Sequence, residues 1–191
     1  MKLHECKRLT LRPINAIWYR AIATKHWKTA LKTDHTPQVT TRFNPGKAAK
    51  TPFEILYLGE NQLVALYEVG AIFGPPGRPV SNPAQSKTLT IDVSVILQSV
   101  ADLTDPSQQT LLDISTQELT GNWDTYPPGD APTQRLGAAL YATRKVEGIL
   151  AVSARMPPNK TLVIFPQRLR KGSELVFRDI ITRKTHRIAP P

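Results

Sequence analysis

The chain has 191 residues, 40% of them hydrophobic and 21% charged, which suits a single domain with its own core and excludes a disordered or fibrous protein. Its 25 lysines and arginines outnumber 15 acidic residues for a net charge of +10, so an anionic partner is favoured, but the surplus is dispersed and outlines no recognition helix. No apolar run reaches the roughly 18 residues of a membrane helix, the first residues lack the apolar core of a signal peptide, and the lone Cys6 allows no internal disulfide, so a cytoplasmic protein without membrane attachment is expected.

In chain order, residues 9 to 23 carry a short apolar stretch around Ile14, Ile17 and Trp18, and Thr24 to Gln38 reads as irregular or weakly helical. Pro45-Gly46 marks a loop after Arg42-Phe43, and Ile55 to Leu58 is a strand that ends at Gly59. Leu63, Leu66, Tyr67, Gly70 and Ala71 recur at helical spacing, which predicts a helix from Glu60 to Phe73 stopped by Gly74-Pro75-Pro76-Gly77. That helix is apolar nearly all round and so is expected to be buried, with Glu68 its only charge between Leu63 and Phe73.

A proline-rich loop follows over 75 to 87, and then Leu89, Ile91, Val93 and Val95 alternate with polar residues as in a strand with one buried face. Leu111 to Leu119 is predicted helical, and Asp130 before Pro132 supplies a cap for a second helix running to about Val146. Ile149 to Val152, Thr161 to Phe165 and Glu174 to Ile181 complete the strands, the last two joined by a basic loop at Gly172. This irregular alternation predicts an α+β fold, a mixed sheet with flanking helices, rather than a doubly wound one.

Familiar catalytic sets are absent. The four histidines show no metal-ligand spacing, and there is no Gly-x-Ser-x-Gly, no Gly-x-Gly-x-x-Gly and no phosphate loop. Four residues stand out instead. Glu68 is either a structural carboxylate paired with an arginine or a catalytic one. Arg42 is either a solvated surface cation or a guanidinium fork for pyrophosphate. Tyr57 either packs in the core or stacks on a flat ring, and Ser153, after four apolar residues, either caps a strand or bonds a ribose hydroxyl or phosphate oxygen.

The segments that carry these residues, Arg42-Phe43-Asn44-Pro45-Gly46, Tyr57-Leu58-Gly59, Ala65-Leu66-Tyr67-Glu68 and Ser153-Ala154-Arg155, resemble the RES-domain family, which is named for an Arg, a Glu and a Ser. The resemblance runs on through Leu89 to Val93, Val100 to Asp105, Pro132 to Gly137, Gly148 to Leu150 and Leu162 to Phe165, and so covers roughly residues 17 to 166. One departure is local: the family commonly has glycine just before the Arg-aromatic pair, where this chain has Thr40-Thr41. The basic stretch from 167 to 191 lies beyond the matching motifs, as an added strand or hairpin, a dimer contact or an antitoxin surface.

The resemblance implies a fold similar to that of mono-ADP-ribosyltransferases and a toxin that cleaves the nicotinamide–ribose bond of NAD, with water or inorganic phosphate as acceptor. NAD is then a substrate, and no further cofactor or metal is implied. It also implies that Glu68 stabilises an oxocarbenium-like sugar, that Arg42 and Arg20 hold phosphate, that Tyr57 packs on the nicotinamide side and that Ser153 fixes the nucleotide. The partners it implies are a helix-turn-helix antitoxin of the Xre type and a second copy in a homodimer. The competing expectations are an ADP-ribosyltransferase that modifies a macromolecule and a non-catalytic basic module that binds nucleic acid or regulates.

Overall fold

In a computed structural model, which describes residues 1–71 and 87–190, the fold is α+β, a mixed seven-stranded sheet with four short helices. The strands are β1 (Leu11–Ala23), β2 (Leu56–Gly59), β3 (Thr88–Asp102), β4 (Gly148–Val152), β5 (Lys160–Ile164), β6 (Glu174–Arg178) and β7 (Thr185–Ile188). The helices are α1 (Gln62–Glu68), α2 (Pro106–Leu112), α3 (Thr116–Thr120) and α4 (Pro132–Ala142).

Strand order is β1-β2-β5-β4-β3-β6-β7, and β1 also pairs with β3, so the first five strands close on themselves. All pairings are antiparallel except β3 with β4. Closure gives the ring two buried faces, and successive residues separate into two cores. Ile149, Ala151 and Val163 face Phe43, Phe53, Leu136 and Leu140, whereas Leu150, Leu162 and Ile164 join Trp18, Val93, Val95 and Leu97.

β1 and β3 are far longer than their apolar stretches predict, because they pair with each other along nearly their whole length. On its other edge β3 meets β6 at 94–96 and β4 at 100–102, which leaves the amides of Gln98 and Ser99 without a strand partner. The fully buried carboxylate of Glu147 fills this gap. One of its oxygens accepts from both amides at 2.7 Å and the other from the Arg170 amide at 2.6 Å.

Three expected elements are corrected. The helix predicted to run to Phe73 ends at Glu68, because Gly70 adopts φ +69° and its amide and that of Ala71 return to the carbonyls of Tyr67 and Leu66, a Schellman termination. Nor is this helix buried all round: Leu63 is 44% and Val69 55% exposed, and Val64 and Ala65 form its packed face. The expected Gly74-Pro75-Pro76-Gly77 stop and the proline-rich loop up to residue 86 lie outside the described residues.

The helix predicted over 111–119 is two helices, α2 and α3, divided where Asp113 takes φ 54° and Ser115 opens a capping box with Glu118. The strand predicted over 174–181 turns back after Arg178, so 174–188 is a hairpin. Helix α4 begins after Ala131, without the expected side-chain cap from Asp130, and ends at Ala142 rather than Val146.

Helix α4 matters to the site because Gly137 lies against the turn that bears Arg42. A Cβ at Gly137 would sit 2.0 Å from the Phe43 carbonyl oxygen, a contact that only displacement of the turn or the helix relieves. Gly137→Ala is therefore expected to destabilise the protein by about 1–3 kcal/mol, as overpacking does, measured by denaturant unfolding. An unchanged unfolding midpoint contradicts this packing.

Candidate active site

The site is assembled from the end of α1, the middle of β2, the starts of β5 and of the loop after β4, and the turn at 41–44. Asn61 caps α1 by accepting from the Val64 amide at 2.9 Å, and Gly59 lets the helix lie close on β2, where a Cβ would meet the Ala65 nitrogen at 2.6 Å. The helix C-terminus is thereby brought over the sheet, with Glu68 as its last residue.

Glu68 is held through one oxygen. Its Oε1 accepts from the Ser153 hydroxyl at 2.5 Å and from the Thr161 hydroxyl at 3.1 Å. Ser153 is fully buried, and its Oγ also accepts the amides of Met156 at 3.0 Å and Arg155 at 3.3 Å. The serine is thus oriented by the turn after β4 and in turn orients the carboxylate. Among the described residues no ion pair joins Glu68 to an arginine, the pairing weighed from the sequence.

Arg42 lies in a tight turn in which the Thr41 amide donates to the Asn44 carbonyl at 2.8 Å and the Asn44 amide donates back at 3.2 Å. The buried Asn44 amide group donates to the Thr36 carbonyl at 2.9 Å, and its Oδ1 accepts the Gly46 amide at 3.0 Å. The Arg42 side chain is only 4% exposed. Its Nε donates to the Leu119 carbonyl at 2.8 Å and its Nη2 to the carbonyls of Leu119 and of Val152, the latter at 3.0 Å.

Most of the fork is therefore taken up by backbone, and only Nη1 has no partner among the described residues. Burial lowers the Arg42 pKa, while the charges of Glu68 and Tyr57 pull it back up.

Tyr57 reaches the same turn from β2. Its hydroxyl accepts the Phe43 amide at 2.9 Å and shares a hydrogen bond with the Thr41 hydroxyl at 2.8 Å. Thr41 thus supplies a partner to the tyrosine. Burial pushes the Tyr57 pKa up to about 12, so at neutral pH it is a phenol that donates and accepts, not a base.

Arg20, on β1, is the guanidinium that lines the cavity. Its Nη1 is buried with no hydrogen-bond partner among the described residues, and burial lowers its pKa to about 10. It remains charged at neutral pH, as a cation to which an anion is the natural complement.

The cavity itself is about 200 Å³, lined by Arg20, Thr41, Tyr57, Glu68 and Thr161, with the exposed Val39 and Val69 among its lining. Arg20, Tyr57 and Glu68 are brought together on this cavity, whereas Arg42 and Ser153 stand behind it and fix the shape of the turn and the carboxylate. Thr161 was not singled out from the sequence. Its only signal was a hydroxyl at the head of an otherwise apolar strand, beside Gly59 on β2 and Ala151 on β4.

A family model described as RES domain matches residues 17–183, past the limit of the sequence motifs. The crystal structure of the M. tuberculosis MbcT–MbcA toxin–antitoxin complex contains a chain similar to this one, with a TM-score of 0.66 and 18% identity over 98% of this chain and 91% of that chain. At that identity the likeness is one of fold. No curated protein matches the sequence.

Proposed function

The chain belongs to the RES-domain family, and on that premise we propose that it is the toxin of a toxin–antitoxin pair and degrades NAD by breaking the nicotinamide–ribose bond. The observation that carries this reading is Glu68, a carboxylate held by two hydroxyls through one oxygen at a small cavity also lined by Tyr57 and by Arg20, whose Nη1 has no partner among the described residues.

Nicotinamide leaves from a ring that is already cationic, so it needs little acid catalysis. The barrier lies in charge building on the sugar, and a fixed anion beside that carbon lowers it. Ser153 and Thr161 hold Oε1, so the carboxylate need not reorient as the bond lengthens. The volume of 200 Å³ suits a nicotinamide ring and its ribose rather than a whole dinucleotide. Beyond Arg20 lies a second cavity of about 470 Å³, which shares Arg20, Ala21 and His35 with the first and takes the rest of the molecule. On this reading Arg20 sits at the pyrophosphate between them, and water or inorganic phosphate receives the sugar.

The proposal includes an antitoxin of the helix-turn-helix, Xre type and a homodimeric toxin. No helix among the described residues is long and apolar enough to cross a membrane.

Arg20→Ala tests the placement. Loss of a charge-assisted contact to phosphate costs about 1.5–3 kcal/mol, so KM for NAD should rise roughly ten- to hundredfold while kcat changes less. Because Arg20 Nη1 has no hydrogen-bond partner among the described residues, the substitution breaks no hydrogen bond of that atom, and stability should change less than binding. Steady-state nicotinamide release read by chromatography checks both arms, and an unchanged KM takes Arg20 out of the site.

A further inference from the structure

The most exposed large apolar residues in the described chain are neighbours, Ile180 at 87% and Ile181 at 76%, at the tip of the β6–β7 hairpin. They are displayed on a rigid turn. Asp179, buried to 2% exposure, accepts the amides of Ile181 at 2.9 Å and Thr182 at 3.1 Å, the Thr182 hydroxyl, and the indole N–H of Trp27 at 2.7 Å. The Asp179 amide donates to the Lys184 carbonyl at 2.8 Å, and Phe177 packs edge-on against Trp27 with ring centroids 5.2 Å apart. The tip is thus pinned to the body before any partner arrives, which removes most of the ordering cost of association.

The surroundings are basic. Residues 166–190 contain seven lysines and arginines against two acidic residues. Of those two, Asp179 is buried in the turn and Glu174 is paired with Arg187 at 2.7 Å. Arg178, Arg183 and Lys184 are exposed around the two isoleucines with no acidic partner among the described residues. Among the described residues the sheet order ends at β7, whose outer edge carries no further strand.

We propose that this hairpin is a docking surface for an acidic partner protein, which receives Ile180 and Ile181 in an apolar groove rimmed by carboxylates. A second copy of the chain would bring the same unpaired cations against the tip, at separations where like charges repel. Nucleic acid fits less well, because the turn is fastened to Trp27 rather than free to follow a groove and offers no aromatic platform. Two aliphatic side chains are also few for a membrane anchor. Within the toxin reading, on which the identity of the partner rests, that partner is the antitoxin, and the hairpin holds it without belonging to the NAD cavity.

The test measures binding of the protein encoded beside this chain by calorimetry, at two salt concentrations, to the full chain and to the pairs Ile180→Ser/Ile181→Ser and Arg183→Glu/Lys184→Glu. At least tenfold weaker binding by each pair is expected, with a salt dependence that the charge-reversed pair loses, while NAD consumption and melting temperature stay at wild-type values. Amide exchange on the wild-type complex should show added protection at 180–188. Wild-type affinity in both pairs, or unchanged exchange over that segment, overturns the proposal. So does hairpin-dependent binding of duplex DNA or phosphatidylserine vesicles with none to the neighbouring protein. NAD consumption, measured in the same preparations, shows independently whether the enzymatic reading stands.

Discussion

Glu68→Gln should lower the rate of nicotinamide release by about a hundredfold or more while the melting temperature stays near that of the wild type. The amide oxygen can still accept from Ser153 and Thr161, so the side chain keeps its place. What it loses is the negative charge facing the sugar, and loss of one preorganised electrostatic group costs on the order of 100- to 1,000-fold in turnover. Among the described residues Glu68 forms no ion pair, so its neutralisation removes only the longer-range support that its charge gives Arg42 and breaks no buried salt bridge, where about 3–5 kcal/mol is lost. Unfolding and single-turnover cleavage measured on one preparation separate the two roles. A stable variant that cleaves at the wild-type rate removes Glu68 from the chemistry, and a variant that unfolds shows that it is structural.

Arg42→Ala should have the opposite signature, a large loss of stability from which loss of activity follows. Substitution leaves the carbonyls of Leu119 and Val152 without their donors inside the protein and empties the space beside Phe43, over whose ring the guanidinium carbon lies 4.9 Å from the centroid. Each stranded buried group costs about 1–3 kcal/mol, so a total of roughly 3–5 kcal/mol is expected, which in a domain of this size lowers the melting temperature by on the order of 10 °C. Arg42→Lys should recover little of this, because one ammonium cannot reproduce the fork that reaches both carbonyls. A melting temperature for Arg42→Ala within a degree of the wild type contradicts the anchoring role and returns Arg42 to direct phosphate binding.

The contrast between Glu68 and Arg42 shows which parts of the site were legible in the sequence. Glu68 was conspicuous as a lone charge on an apolar segment, and the strands at 149–152 and 161–165 followed from their runs of buried residues. The burial of Arg42 was not legible, since the carbonyls that hold it belong to residues 77 and 110 positions away. Ser153 and Thr161 carry hydroxyls whose direction depends on the register of β4 against β5, which no local pattern encodes. The early end of α1 did have a local signal in Gly70, but that glycine also fitted the helical spacing of its neighbours, and the Schellman bonds decided between them. The length of β3 was hidden for a different reason. Its polar residues Gln98 and Ser99 interrupt the alternation where the strand changes partner, and their amides are satisfied by Glu147, 49 and 48 residues on.

The most direct measurement is incubation of the purified protein with NAD at enzyme excess, with and without inorganic phosphate, and chromatographic separation of the products. The account predicts that NAD disappears with stoichiometric release of nicotinamide, and that ADP-ribose or its 1-phosphate accumulates according to the acceptor. Intact NAD after prolonged incubation under both conditions, with a protein that melts cooperatively, would contradict it.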